Sequence, residues 1–573
     1  MKTKLLSLLL LLSITSNSQT VIKWVKTDKI TARTDTVVFD SLAKFNKNII
    51  IEDTVFIGND TIYRIGISND TLYFNNQTFT GGGSSTGFKW IVTGGGTDKI
   101  YTAVQAASAG DVVIVDAGVY TETNTISKDG VRLHGMNGAV VTKTTSGGLF
   151  NITGYTNDFI VTGDFTFNTT NQLLYVSSST TNNPYLEYYK ASNTAATLIE
   201  ATALNGNITI NGKYISQSSG GIVINTYGGT TYRANLLLLG GDYISTADVA
   251  VQFGAILSSG AGVNGTFKCR NIETTNASYY ALQIFPDGAS TTNPAKIQID
   301  CDIKGTKALY FHRVSNANSN RAVIININGN INGNIVIGSA NNIALTFNGN
   351  INNCTYTEGI NTTYGVIFNG NISNSTFTFA YNNSTINGNI YQSIINVSAY
   401  KTQINGLYYY DAPENTTNTA HSTITGGSIE LNGYAYLIIT GSGNERRSSH
   451  FYINGGKLVV NGKIEALGLY DTDVTTMAIK LNSGILRLNG NGSIVAGNGS
   501  TGLYRCVEVS GNSTYIHNGG SMFSVDCINN AASVLTIKNY NNYFTNVARS
   551  GAGTYTETIT GGGTEVVDTD VTE

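Results

Sequence analysis

Few residues in this chain have the type and spacing for chemistry. Asp300 and Asp302 lie two apart in Ile299-Asp-Cys-Asp-Ile303, and Asp471 and Asp473 lie two apart in Tyr470-Asp-Thr-Asp473. On a strand, residues i and i+2 share a face, so each pair would bring two carboxylates close enough to share a proton or hold a cation. Glycoside hydrolysis needs an acid and a partner carboxylate about 5 to 10 Å apart across the sugar, which makes all four acids candidate catalytic residues. The plainer reading of Asp300 and Asp302 is a pair of solvated side chains flanking an inward Cys301. Glu445-Arg446-Arg447 with His450 is the one dense ionic cluster of the repetitive region. Arg446 and Arg447 could clamp an acidic sugar, because guanidinium groups bind carboxylates bidentately. An internal ion pair in a surface loop is the alternative. Two aromatic clusters, Tyr408-Tyr409-Tyr410 and Tyr185 with Tyr188 and Tyr189, suit stacking on glycan rings; packing at a subunit interface would use the same chemistry. His134, His312, His421 and His517 stand alone and read as structural. The cysteines Cys269, Cys301, Cys354, Cys506 and Cys527 are odd in number and lack ligand spacing, so they read as small buried hydrophobes. No metal site and no cofactor is expected.

These residues are set into a repeat. In Val323-Ile-Ile-Asn-Ile-Asn-Gly-Asn-Ile-Asn-Gly-Asn-Ile-Val-Ile337 the odd positions are apolar or glycine, and asparagine falls on even positions from 326 to 334. That period of two belongs to a strand with one buried and one exposed face. An apolar residue followed by Asn-Gly-Asn-Ile recurs at 204–208, 327–331, 331–335, 347–351, 368–372 and 386–390, with looser copies at Ile404-Asn-Gly-Leu407, Ile424–Ile429, Val460–Ile464 and Leu488–Ile494. From Gly329 to Gly426 the spacing is about 18 to 21 residues, the range of repeat architectures. Such units bury their apolar faces only by stacking, which predicts an all-β, right-handed, single-stranded parallel β-helix. Glycine suits the corners, having no side chain to clash, and stacked asparagines can bond from coil to coil. The competing explanation makes each Asn-Gly an antiparallel hairpin turn. It gives no reason for isoleucine to keep one inward register across Gly329 and Gly333.

The sequence has 573 residues, 64 of them Gly, only 12% charged, with a formal net charge of −3. A solenoid of that length grows by adding coils rather than domains. The absence of a basic stripe argues against a nucleic-acid partner. Residues 1–18 have the basic start, apolar core and polar end of a secretory signal peptide, too short to anchor permanently, so no membrane span is expected once it is removed. Residues 19–80 contain Asp-Thr pairs before short apolar runs, at Asp35, Asp53, Asp60 and Asp70, and read as a small β-rich attachment or oligomerisation region. The Gly/Ser-rich stretch 81–95 reads as a linker, 96–550 as the β-helix, and 551–573 as a tail or cap.

Between Ile100 and Gly135 the order is a short amphipathic helix (Ile100–Ala107), Gly110-Asp111, the apolar strand Val112–Val115, Gly118-Val-Tyr-Thr-Glu122 and a second strand ending in Gly135. This order resembles the capped first coils of the pectin lyase-like parallel β-helix superfamily, with Ala117 where that family usually has proline. The motif covers about forty residues, and the asparagine-glycine coils extend the match in kind. The resemblance implies a helix covering the open end of the coil stack. It also implies a carbohydrate ligand, since that superfamily includes lyases, hydrolases and esterases acting on acidic polysaccharides and the tailspikes by which phages bind surface glycans. None of the superfamily's recognisable catalytic sets is found. The leading expectation is therefore an elongated, homotrimeric protein that binds a cell-surface polysaccharide, resembling a tailspike or receptor-binding fibre and located at the cell surface, outside the cell or on a virion. An exported polysaccharide lyase or hydrolase and a non-catalytic structural adhesin are the alternatives.

Overall fold

The computed structural model of the chain describes four strands between Ile30 and Tyr63 and the residues from 89 to 559, apart from connections at 156, 177–182, 229–233 in part, 256–261, 286–288, 291–293, 313–320, 339–342, 360–364, 413–421, 440–446, 469–474, 499–503, 523, 528–533, 540–547 and 551–553. It divides into two compact units, 1–86 and 87–573.

In the first unit Ile30–Arg33 pairs antiparallel with Thr36–Phe39, and Thr54–Ile57 pairs antiparallel with Asp60–Tyr63. Three of the four Asp-Thr segments thus mark strands. The fourth, at Asp70, lies outside the described residues, as does the signal-like segment 1–18.

The second unit is a parallel β-solenoid. Strand after strand pairs in parallel with its counterpart one coil on, from Lys89–Val92 against Val112–Val115 to Val534–Asn539 against Thr554–Ile559. The short Ala289–Ser290, antiparallel to Arg321–Ile327, is a local exception. In the regular coils the chain runs through three faces. On the first, Val323–Ile327 stacks on Ile343–Phe347; on the second, Ile331 stacks on Ile351; on the third, Ile335–Ile337 stacks on Tyr356–Glu358. The parallel register excludes the hairpin explanation of Asn-Gly: these dipeptides are corners between faces. Among the described residues no helix is long and apolar enough to cross a membrane.

The repeat's alternation becomes a core. Ile325, Ile327, Ile331, Ile335 and Ile337 are buried, while Asn328 and Asn330 are exposed. Rings stack from coil to coil, Phe347 over Phe368 at 4.9 Å and 2°, and Tyr356 over Phe377 at 4.9 Å and 14°. Each large apolar side chain buried this way contributes roughly 1.5 to 3 kcal/mol.

Glycine at the first corner serves close approach between coils. A Cβ on Gly349 would lie 2.0 Å from the carbonyl oxygen of Gly329, one on Gly370 2.0 Å from that of Gly349, and one on Gly388 2.0 Å from that of Gly370. The next corner adds a second property, although a Cβ on Gly333 would also lie 1.7 Å from the Gly305 carbonyl oxygen. Gly333, Asn353, Asn374 and Gln392 have φ of 127°, 51°, 49° and 47°, so there the left-handed backbone is what the position requires, and asparagine takes it with little strain.

Two domain boundaries differ from expectation. Lys89–Val92, inside the expected linker, is the first solenoid strand. The following Gly94-Gly95-Gly96 is a turn with φ of 73°, 58° and 121°, and a Cβ on Gly95 would meet the Val119 oxygen at 2.5 Å. Glycine enrichment here reflects a tight corner against the second coil. At the other end Thr554–Ile559, inside the expected tail, is a further coil strand.

The helix is Lys99–Ala106, with Ile100 and Val104 buried. The Gly-Asp and Tyr-Thr-Glu elements of the sequence motif dock it. Glu122, fully buried, accepts the backbone N–H groups of Ile100 and Tyr101, both at 3.0 Å, which satisfies donors at the helix N-terminus. Asp111 accepts the Trp90 indole N–H at 3.0 Å and the Ser108 N–H at 2.8 Å. Tyr120 donates to the Val92 carbonyl at 3.0 Å.

Gly370→Ala is expected to lower the thermal unfolding midpoint, with a cost of about 1 to 3 kcal/mol or more from overpacking, measured by circular dichroism. Gly490→Ala occupies the same kind of corner but would meet nothing nearer than 4.0 Å, and should leave the midpoint within about 0.5 kcal/mol of wild type.

Candidate functional site

The outer surface at the corner between the first and second faces carries a continuous line of side-chain amides. Asn328 Nδ2 donates to Asp300 Oδ1 at 2.6 Å, Asn348 to Asn328 at 2.7 Å, Asn369 to Asn348 at 2.7 Å, Asn387 to Asn369 at 2.8 Å, and Asn405 to Asn387 at 2.7 Å. The line continues through Asn432, Asn461 and Asn489. Two residues on, the second asparagine of each Asn-Gly-Asn accepts a backbone N–H of the next coil, as Asn330 does from Asn350 and Asn350 from Asn371, both at 3.0 Å.

Asp300 and Asp302 are the starting points of these two lines. Asp300 Oδ1 also accepts from Gln298 at 2.6 Å, and Asp302 accepts both the N–H and the side-chain amide of Asn330, at 3.0 and 3.1 Å, with Lys304 at 4.0 Å. Carboxylates committed to amide donors on the next coil anchor the ladder.

The strand alternation divides the tyrosines. Tyr408 and Tyr188 are fully buried, which corrects their expected place in a glycan-binding surface. Tyr408 stands in the inward column formed by Ile372, Ile390, Tyr408 and Ala435, and the small Ala435 accommodates the larger ring. Its hydroxyl donates to the Ser393 carbonyl at 2.8 Å and shares a 2.5 Å bond with Ser422 Oγ. Tyr188 pairs in register with Gly212, whose missing side chain leaves room for the ring, and its hydroxyl bonds Ser216 Oγ at 2.7 Å. Tyr410 packs part-buried against the core.

What remains outside forms two aromatic surfaces. Tyr189, 46% exposed, stacks on Tyr214 of the next coil, 48% exposed, at 5.4 Å and 9°. Tyr409 faces out in a column with Tyr391 before it and Tyr436 after it, at 6.5 and 5.9 Å, and Tyr434 lies 5.6 Å from Tyr436. Tyr214, Tyr391, Tyr434 and Tyr436 were not legible as site residues from local clustering. Aligning the repeats would have found the column, because Ile386-Asn-Gly-Asn-Ile390-Tyr391 and Ile404-Asn-Gly-Leu-Tyr408-Tyr409 superpose residue for residue.

Beside the first surface lies an ionic cluster. Glu187 accepts the Tyr185 hydroxyl at 2.9 Å, the Gly163 N–H at 3.2 Å and the Asn211 amide at 3.3 Å, and lies 3.0 Å from Lys213 Nζ. Lys213 also bridges to Asp164 at 2.8 Å, and Arg270 pairs with Asp242 at 2.5 Å. Burial pushes the Glu187 carboxyl up, but the hydrogen bonds from Lys213, Tyr185 and Gly163 outweigh it and hold the carboxyl below its ordinary range. Burial and the bond to Glu187 raise the Tyr185 phenol. His134, whose Nδ1 lies 2.9 Å from Thr162 Oγ1, is pushed down by burial and stays neutral at pH 7. The cluster is an ammonium held between two carboxylates beside a protonated phenol, suited to hold a surface rigid and to offer hydroxyl and amide bonding.

Asp471, Asp473 and Arg446 lie outside the described residues, and Arg447 begins the strand Arg447–Val460 without a described side chain. His450, expected to flank that cluster, is fully buried, stacked on Phe451 at 4.8 Å, and pushed down to about 4 by burial. His312 is likewise no lone residue: it stacks on Phe285 at 3.7 Å. Cys269, Cys301, Cys354 and Cys506 are buried. No group of three His, Cys, Asp or Glu side chains able to hold a metal ion occurs among the described residues.

Set beside known proteins, the chain matches no family model, no curated protein and no solved structure. The fold and the outward side chains therefore carry the functional argument.

Glu187, with its carboxyl held low, contributes stability that is present above the unfolded-state value and is lost as the pH falls through the lower folded value. Glu187→Gln should therefore flatten the acid limb of the melting temperature against pH, relative to wild type, as the pH falls below the ordinary glutamate range. An unchanged slope would mean that the bridge to Lys213 is fully screened by solvent.

Proposed function

We propose that the solenoid is an elongated glycan-binding module of the host-attachment kind, taking a cell-surface polysaccharide on outward tyrosines in the manner of receptor-binding fibres. The observation that carries this is the Tyr189–Tyr214 pair: two rings from adjacent coils, parallel within 9° and about half exposed, at the edge of a rigid hydrogen-bonded surface. An exposed flat aromatic pair leaves apolar area in water unless something stacks on it, and the axial C–H faces of sugar rings do so while their hydroxyls bond neighbouring amides and carboxylates. A surface preorganised by coil stacking loses little entropy on binding. Export, a homotrimeric state and location at a cell or virion surface belong to the same proposal and rest on the sequence alone.

The test is retention on an array of bacterial surface polysaccharides, followed by calorimetric titration of the best ligand. Tyr189→Ala and Tyr214→Ala should each weaken binding about five- to tenfold, equivalent to roughly 1 to 1.4 kcal/mol, without changing the melting temperature. Tyr279→Ala, at an exposed tyrosine away from the pair, should leave affinity unchanged. Equal affinity in all three variants would refute the reading.

A further inference from the structure

We infer that the outer face of the second sheet, at Tyr391, Tyr409, Tyr434 and Tyr436, is a separate sugar subsite, and that it selects uncharged sugars over polyuronates. The inference rests on the glycan-binding reading above for the nature of the ligand, but its evidence is independent of the Tyr189–Tyr214 pair.

The geometry comes from register. Ser373, Tyr391, Tyr409, Tyr436 and Glu465 occupy one outward column on successive coils, and Leu407, Tyr434 and Lys463 occupy the outward column beside it. Three tyrosines at successive coil positions, with a fourth alongside, make an aromatic strip several coils away from Tyr214. The strip is fixed from beneath and from the sides. Gln392 donates from Nε2 to the Asp411 carbonyl at 3.1 Å and accepts the Asp411 N–H at 2.6 Å, which clamps the segment carrying Tyr409. Leu407 N–H donates to Asn389 Oδ1 at 2.9 Å, tying the same segment to the amide line, and Asn405 and Asn432 continue that line along the strip's edge.

Charge selects the ligand. The cation that borders the strip is committed: Lys463 Nζ lies 2.5 Å from Glu465 Oε2 and 5.2 Å over the Tyr434 ring. The Tyr434 hydroxyl donates to the same Glu465 carboxylate. Burial pushes Glu465 up, but Lys463 and Tyr434 hold it below its ordinary range, so it stays an anion at neutral pH. Asp411 adds a second carboxylate, close enough to raise the Tyr409 phenol after burial does so. The phenols of Tyr434 and Tyr436 are raised by burial and by Glu465, so all stay neutral. A polyuronate would meet the Glu465 carboxylate with the bordering lysine already closed onto it. A neutral pyranose would meet ring faces, amides and hydroxyls. At the Tyr189–Tyr214 surface the same balance holds, since Lys213 and Arg270 are closed onto Asp164, Glu187 and Asp242.

The experiment uses the full chain and three variants, Tyr409→Ala, Tyr189→Ala and the double variant. Each is checked for unchanged circular dichroism and sedimentation, with Tyr409→Phe as the conservative control. Titrants are neutral gluco-, manno- and galacto-oligosaccharides and polygalacturonate, at about 0.15 M and 0.5 M salt. Expected are binding of a neutral probe that does not change with salt, a five- to tenfold loss in Tyr409→Ala, recovery in Tyr409→Phe, a larger loss in the double variant, and polygalacturonate at least tenfold weaker than the neutral probe. Polygalacturonate binding as tight as that of the neutral probes, fading with salt, would overturn the charge selection while leaving glycan binding intact. Full affinity in Tyr409→Ala beside a loss in Tyr189→Ala would overturn the second subsite alone. Full affinity in both single variants and the double variant, or no binding of any probe, would overturn the glycan reading itself. A change of sedimentation in Tyr409→Ala would assign the strip to contact between copies of the chain and overturn the subsite.

Discussion

Coil-to-coil spacing at the first corner of most regular coils leaves no room for a side chain. A Cβ at Gly329, Gly349, Gly370, Gly388, Gly433 or Gly462 would lie between 1.8 and 2.0 Å from a carbonyl oxygen of the coil before it. With glycine there, backbones meet at the spacing that parallel ladders require, and the inward columns of isoleucine and phenylalanine close without gaps. With any larger residue the corner must open, and the ladders on the adjoining faces lose register together. The asparagines on either side of each glycine take up the polar demand of that crowded edge.

Those asparagines make a line with direction. Each amide from Asn328 to Asn461 donates toward the start of the chain and accepts from the coil that follows. The line begins at a carboxylate, Asp300, and Asn489 at its far end accepts Arg487 Nε at 2.9 Å. Aligned dipoles with an anion at the donor end and a cation at the acceptor end reproduce, in side chains, the charge arrangement that stabilises helix termini. That arrangement explains why acids occur at 300 and 302 and asparagines beyond them. Each of the two acids takes these amide bonds on its Oδ1.

Strand alternation then sorts the aromatic residues into two populations with different work. Tyr408 and Tyr188 fill the interior, each opposite a small residue, Ala435 or Gly212, and each with its hydroxyl bonded to a serine. Tyr189, Tyr214, Tyr391, Tyr409 and Tyr436 face outward, where nothing in the coil needs them for packing. Carboxylates and lysines near them are closed onto one another, which leaves rings and amides as the features a ligand meets.

Periodicity pointed to the fold class, because a period of two, repeated every 18 to 21 residues with the isoleucines beside each Asn-Gly in one inward register, buries its apolar face by stacking, and the parallel pairing then excluded the hairpin alternative. Apolar spacing showed the short helix as well, its capping place being what the family resemblance implied, and Glu122 and Asp111 of the Tyr-Thr-Glu and Gly-Asp elements prove to be its docking groups. Local composition misled where glycine had two meanings: Gly94 and Gly95 read as the end of a linker, but the contact of Gly95 with Val119 that marks a corner lies a coil away. The candidate site was legible only in part for the same reason. Tyr409 and Tyr189 were visible within tyrosine-rich runs, but which ring of each run faces water depends on register. Tyr391, Tyr436 and Tyr214 join them across coils 18 to 27 residues distant, through pairings that only the stacked structure makes.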